Sequence, residues 1–329
     1  MRARKASLLA IAFCALLFSP LNAGAQTSSA QTWPSRPVTV VVPFLAGTTG
    51  DIVARGMVEH LASTLGQPFV VDNRAGAGGN IGGAAVAKAA PDGYTLLLAT
   101  TGPAANNKFM YKNMPYDPQR DFAPIVLMGK SPVIITAKNS LPATTLKELV
   151  EYAKANPGKI TAGYPGNGTF GHVTGELLQQ SAGMTFVPAQ YRGSPAIITD
   201  LLGGHIDIGM DSMAPYVALI QEKKLRGLAI AGLQRWPLLP DVPTVAESGF
   251  PGFEAAVWYA FLAPTGTPPA ILAKLNAASN AYLKTKAATE LFEKLGIQAA
   301  GGTPEELKAF VDAEMAKWGP IIKGAKIEF

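Results

Sequence analysis

The sequence is poor in cysteine and histidine. Cys14 is its one cysteine, and His60, His172 and His205 are its only histidines. A single thiol forms no internal disulfide and offers no Cys-based metal spacing. No H-E-x-x-H and no G-x-S-x-G occurs, which removes the common zinc-hydrolase and serine-hydrolase signatures. No clustered Lys/Arg patch suggests nucleic acid as a partner. Past the first 20 residues there is no run of 18 apolar residues, so nothing later reads as a membrane span. Heptads and short-period repeats are missing too, which argues against a structural or adhesive array.

What is present begins with an export signature. Arg2, Arg4 and Lys5 precede an apolar run over residues 6–18, then Ser19-Pro20 and an A-x-A-like site at Ala23-Gly24-Ala25. The run is shorter than the ~20 residues a bilayer span needs. Residues 1–25 therefore read as a cleaved signal peptide, with the mature chain starting near Gln26 in the periplasm. Cys14 lies inside the apolar run, so lipidation is not expected there. The full chain has 28 Lys+Arg against 23 Asp+Glu. Without the three basic residues of the leader this is 25 against 23, so the basic balance belongs largely to the leader.

Strand-like and helix-like runs alternate through the mature chain. Val38–Val42 is a β-branched strand, residues 51–65 an amphipathic helix, 67–71 a strand and 95–99 a third. A βαβαβ order implies a parallel sheet with helices on its faces. The order recurs: strands over 125–128 and 133–137, a helix over 145–155, a strand at 160–163, a helix over 171–182, strands at 186–190, 207–209 and 226–230, a Pro-rich crossing segment over 236–252 and a last strand at 257–263. Helices over 269–284, 287–295 and 304–318 close the chain. Two α/β units facing each other make a cleft, and ligands favour such interfaces and the carboxyl ends of strands.

Two loops stand at strand ends. The first, residues 43–51, is PFLAGTTGD. Its glycines allow close backbone approach, and the following helix start offers unpaired N–H groups to an anion. Phe44, Gly47, Thr48, Thr49 and Gly50 are candidates, with Asp51 read more readily as the N-cap. Thr100 and Thr101, just past the third strand, join the set. The second loop, GNGTFG at residues 166–171, matches G-x-G-x-x-G. A dinucleotide site also wants an acid about 20 residues on. The next strand instead ends in Gln190-Tyr191-Arg192, so no cofactor is expected, and the loop reads as a carboxylate site with Gly168 and Thr169 as donors and Phe170 as an apolar wall. Tyr191, Arg192 and Asp211 fall at strand ends on the same edge. Arg192 suits a bidentate carboxylate contact. His172, one residue into its helix, reads as a cap or a loop brace. Residues 74–83 are Gly/Ala-rich, as tight helix packing on a sheet requires.

These residues resemble the periplasmic receptors of tripartite tricarboxylate transporters, the Bug proteins. The resemblance runs through ordered blocks: WPSRPV at 33–38, VDNRAGAGGNIG at 71–82, APDGYTL at 90–96, DFAP at 121–124, DLLGG at 200–204, LPDVPTVAE at 239–247 and APTGTP at 263–268. It implies a type II periplasmic-binding-protein fold, with two Rossmann-like α/β domains about a closing ligand cleft. On that reading residues 26–130 with 255–329 form one domain and 131–254 the other. It also implies a monomer that captures an organic carboxylate without chemistry and hands it to membrane transporter subunits. The alternative is an exported hydrolase of a carboxylate ester. The chain departs from the family pattern at Ala46, Thr48, Phe170 and Arg192. The last two incline the expectation toward an aromatic dicarboxylate such as terephthalate.

Overall fold

The computed structural model describes residues 33–191 and 193–328. The leader, Cys14 and Arg192 lie outside the described residues. Among the described residues ten strands form one curled sheet: β1 (Val38–Val42), β2 (Phe69–Asn73), β3 (Thr95–Thr100), β4 (Phe122–Ala137), β5 (Thr161–Tyr164), β6 (Val187–Gln190), β7 (Ile208–Ser212), β8 (Arg226–Ile230), β9 (Ala256–Pro264) and β10 (Gln298–Gly301). The order is β2-β1-β3-β9-β4-β7-β5-β6, with β8 and β10 also on β4. Strands β2-β1-β3 are parallel, as are β7-β5-β6, while β4 and β9 run antiparallel to their neighbours.

Two parallel βα halves are thus joined through β4 and β9. Strand β4 spans both: Phe122–Pro132 pairs with β9, and Val133–Ala137 with β7 and β8. Its composition suggests two strands split at Gly129–Pro132. Instead the strand is continuous, because β9 pairs with the whole interval in unbroken register, the register shifts lying ahead of it between Pro124/Val126 and Leu127/Gly129. Strand β2 starts two residues later than its apolar run, since Pro68 pushes the chain into the sheet only after its own missing N–H.

The helices cover the faces that parallel strands must bury. Helix Thr49–Leu65 buries Val53, Ala54, Met57, Val58 and Leu61, a 3–4 spacing that puts them on one stripe. Helix Asn80–Ala87 sits so close to the chain after β1 that a Cβ on Gly82 would come 2.9 Å from the Pro43 Cα, which accounts for the Gly/Ala-rich segment. Helix Pro304–Gly324 continues beyond the stop expected before Pro320. Trp318 and Ile322 on either side of the proline are fully buried, and this packing outweighs the missing backbone bond. The helix bridges both halves: Leu307 and Met315 join the core around β3 and β9, Trp318 and Ile322 the core around β5 and β7. Among the described residues no helix is long and apolar enough to cross a membrane.

Candidate functional site

A cavity of about 350 Å³ lies where the two halves meet. Two helices start at its wall, Thr49–Leu65 after β1 and Phe170–Ala182 after β5. The two starts are built alike. Gly47 (φ 81°) and Gly168 (φ 71°) take the left-handed conformation. Thr48 and Thr169 follow as extended N-caps, with φ/ψ of −71°/160° and −66°/162°. Each threonine hydroxyl donates back to the carbonyl three residues earlier, Thr48 to Leu45 at 2.9 Å and Thr169 to Gly166 at 2.7 Å. Neither caps its helix. The first helical bonds are Ile52 N–H to Thr48 O and Val173 N–H to Thr169 O. The N–H groups of residues 49–51 and 170–172 therefore precede both ladders, where an anion is favoured.

The likeness extends to what holds each loop. Gly47 N–H donates to Asp51 Oδ2 at 2.8 Å, and Gly168 N–H donates to His172 Nδ1 at 3.1 Å. In both cases the acceptor lies four residues on, so the sequence G-T-x-G followed by an acceptor occurs twice, at 47–51 and 168–172. Asp51 also accepts from Arg55 Nε at 3.0 Å and Asn73 Nδ2 at 3.0 Å. Burial opposes its charge, but the bonds from Arg55, Gly47 and Asn73 prevail and hold the carboxyl below its ordinary value. Burial pushes His172 down, keeping it neutral and able to accept. Gly171 is the tightest point, since a Cβ there would run into the Met210 carbonyl.

Of the residues singled out from sequence, Phe44, Thr48, Thr49, Gly50, Thr100, Thr101, Gly168, Thr169, Phe170 and Asp211 line the cavity. Gly47 and Asp51 do not; they brace the first loop from behind, and the N-cap position is held by Thr48, whose side chain makes no capping bond, and not by Asp51. Tyr191 does not line it either. Its hydroxyl donates to Asp200 Oδ2 at 2.6 Å, which ties it to the helix Ser194–Gly203. Sequence reasoning missed Gly78, the stretch Gly102, Asn106, Asn107, Met110 and Tyr111, and Val257 and Tyr259 on β9. The Gly102–Asn106 stretch is a π-helical turn with no simple periodicity to find. Val257 and Tyr259 were recoverable: residues two apart on a strand share a face. Tyr259 is buried, and its hydroxyl is hydrogen-bonded to Thr49. The one acid in the lining is Asp211, and the described lining holds no Lys, Arg or His. A second groove of about 580 Å³ on the other side of β4 and β9 carries Lys130, Arg235, Glu254 and Glu293 but no helix start, so it lacks the paired anion cradle.

His172 gives this site an acid limit. Burial lowers its pKa, so the bracing is complete above 6.5, the ordinary histidine value, and is lost only as the pH falls through the lowered folded-state value. Protonated Nδ1 is a donor and faces the Gly168 N–H donor. The Gly168 amide should lose protection from hydrogen exchange as the pH falls through that lowered value. The Gly47 amide, braced by a carboxylate, should keep its protection there. Equal behaviour of the two amides would refute the assignment.

A mixed sheet in two α/β halves, joined by shared strands, places the cavity at a junction of strand ends, where α/β proteins hold ligands. Residues 53–327 match the tripartite tricarboxylate transporter family receptor. The chain belongs to this family. It is 37% identical over 303 residues to protein BugT of Bordetella pertussis, covering 91% of this chain and 93% of that one. Among solved structures, an R. palustris protein with adipate superposes with a TM-score of 0.82 at 36% identity, covering 90% of this chain and 100% of the other. MatC from Rhodopseudomonas palustris with bound malate gives 0.77 at 32% identity, covering 88% and 99%.

Proposed function

We propose that this chain is a periplasmic receptor that captures a small aliphatic dicarboxylate between two closing lobes and delivers it to tripartite-type membrane subunits. The observation that carries the reading is the pair of G-T-x-G loops, whose uncapped helix starts reach one cavity from opposite halves. We assign residues 26–130 with 255–329 to one lobe and 131–254 to the other. Strands β4 and β9 supply the crossing segments about which they turn. Each lobe contributes one loop, so the closed form gains contacts that the open form lacks, and this difference is what a ligand needs to shift the equilibrium. The solved relatives with adipate and malate support a dicarboxylate. Phe170 packs edge-on against Trp318 at 4.8 Å and is 7% exposed. It therefore offers little ring to stack on an aromatic diacid, and we place adipate ahead of terephthalate.

Thermal-shift screening with adipate, malate and terephthalate, followed by calorimetry, tests the reading. A micromolar hit, about −8 kcal/mol, is expected. Thr169→Ala frees the loop from Gly166 and should weaken that hit about tenfold, the loss of one hydrogen bond at about 1.4 kcal/mol. Failure of every carboxylate to bind would remove the proposal. Chemical conversion of the recovered ligand would favour the exported-hydrolase reading.

A further inference from the structure

We propose that Asp211 sets the ligand's protonation state: the group of the ligand that settles beside it carries a proton, so a dicarboxylate is bound together with one proton from solution. This rests on the carboxylate-receptor reading above. Asp211 is the penultimate residue of β7, stands in the cavity wall and is 5% exposed. It takes part in no ion pair among the described residues. A second bare carboxylate brought against it in a water-poor cavity would put two like charges side by side. Carboxyl pairs in that situation share a proton.

The surroundings accept either form of the acid. Ser212 N–H donates to Oδ1 at 2.6 Å and is a fixed donor. The other partners are hydroxyls: Ser212 Oγ at 3.3 Å, Tyr216 OH at 3.2 Å to Oδ2, and Ser194. A hydroxyl can turn to accept as readily as it donates, so a proton on Asp211 strands no partner. Burial already pushes this carboxyl upward against those bonds.

Among the described residues, the titratable groups around it do not supply the missing charge. Tyr216 in the turn after β7 and Tyr259 on β9 are both held neutral by burial. On the helix packed over β7, His172 is engaged by Gly168, and Glu176 is pushed toward its neutral form by burial. Asp200 on helix Ser194–Gly203 is held by Tyr191, and Asp51 by Gly47, Arg55 and Asn73. Facing Asp211 across the sheet, β4 presents Ile134.

Calorimetry of the mature chain with adipate, in phosphate and in Tris, counts the protons taken up on binding. Measurements between about pH 6.5 and 8.5 stay above the His172 transition. Uptake of about one proton is expected, with the dissociation constant rising about tenfold per pH unit. Asp211→Asn should take up none and show a flat profile. Wild-type binding with no proton uptake overturns the proposal and leaves the receptor reading standing. That is the result if a cation neutralises the ligand instead. An unchanged slope in Asp211→Asn also overturns it. Absence of adipate, malate and terephthalate binding at every pH removes both readings together. The proton count on the wild-type chain decides the matter even if the variant fails to fold.

Discussion

Trp318→Ala is expected to cost about 3–5 kcal/mol of folding stability, the range for truncating a large buried aromatic, and to weaken ligand binding as well. Trp318 is fully buried on the C-terminal helix. Its ring meets Phe170 edge-on at 72°, and Phe170 is the first residue of the helix that opens on the cavity. The indole N–H donates to Glu314 Oε2 at 3.2 Å, and the same oxygen accepts from Trp258 on β9 at 3.1 Å. One side chain thus supports the second loop, the joining strand and the bridging helix. Truncation leaves a cavity behind Phe170, and the helix start loses the wall that aims it. Trp318→Phe separates the contributions. It keeps most of the packing and removes one donor, so its cost should be about 1 kcal/mol. Urea unfolding followed by circular dichroism measures both. Equal losses in the two variants would mean that the hydrogen bond, not the ring, holds the helix.

The alternating β and α runs made the two-unit α/β arrangement readable, because each parallel strand is buried on both faces and each helix on one. The continuity of β4 was not readable. Its middle, Gly129-Lys130-Ser131-Pro132, looks like a break locally and becomes strand only because β9, more than 120 residues further on, pairs with it. The same holds for Pro320, which is overruled by the burial of Trp318 and Ile322. At the site, both helix-start loops were legible from their glycines and threonines. The roles within them were less so. Thr48 and Thr169 look like donors to a ligand, yet their hydroxyl hydrogens are committed to loop carbonyls. Asp51 looks like a cap and is a brace. The signal for this was in the sequence, since G-T-x-G with an acceptor next occurs twice, but a repeat of five residues gains meaning only when both copies face one cavity.

That repeat makes Asp51→Ala the sharpest test of how the first loop works. Asp51 is 2% exposed and serves Gly47, Arg55 and Asn73 at once. Removing it takes the acceptor from the Gly47 N–H, at about 0.5–1.5 kcal/mol for one lost hydrogen bond, while Asn73 Nδ2 keeps the Phe44 carbonyl at 3.0 Å. Arg55 is 54% exposed and recovers water, so its share is small. The larger effect falls on binding. Gly47 at φ 81° takes the left-handed conformation that glycine enters freely, and without the bond to Asp51 only the Thr48 hydroxyl bond to the Leu45 carbonyl holds the extended cap. A loss of affinity of at least about tenfold is expected, matching the release of one oriented hydrogen bond. Asp51→His is the informative companion, because it places at this position the acceptor that nature uses in the second loop. With its imidazole neutral it should recover part of the affinity at pH 8 and lose it again as the imidazole protonates on acidification, the bracing by His172 transferred to the first loop. Because the wild-type carboxyl sits below its ordinary value, its own brace persists until the pH falls through that lowered value. An Asp51→Ala variant that binds as tightly as the wild type would show that the first loop is preset by its backbone alone, and the parallel between the two loops would then be one of shape without a shared means of support.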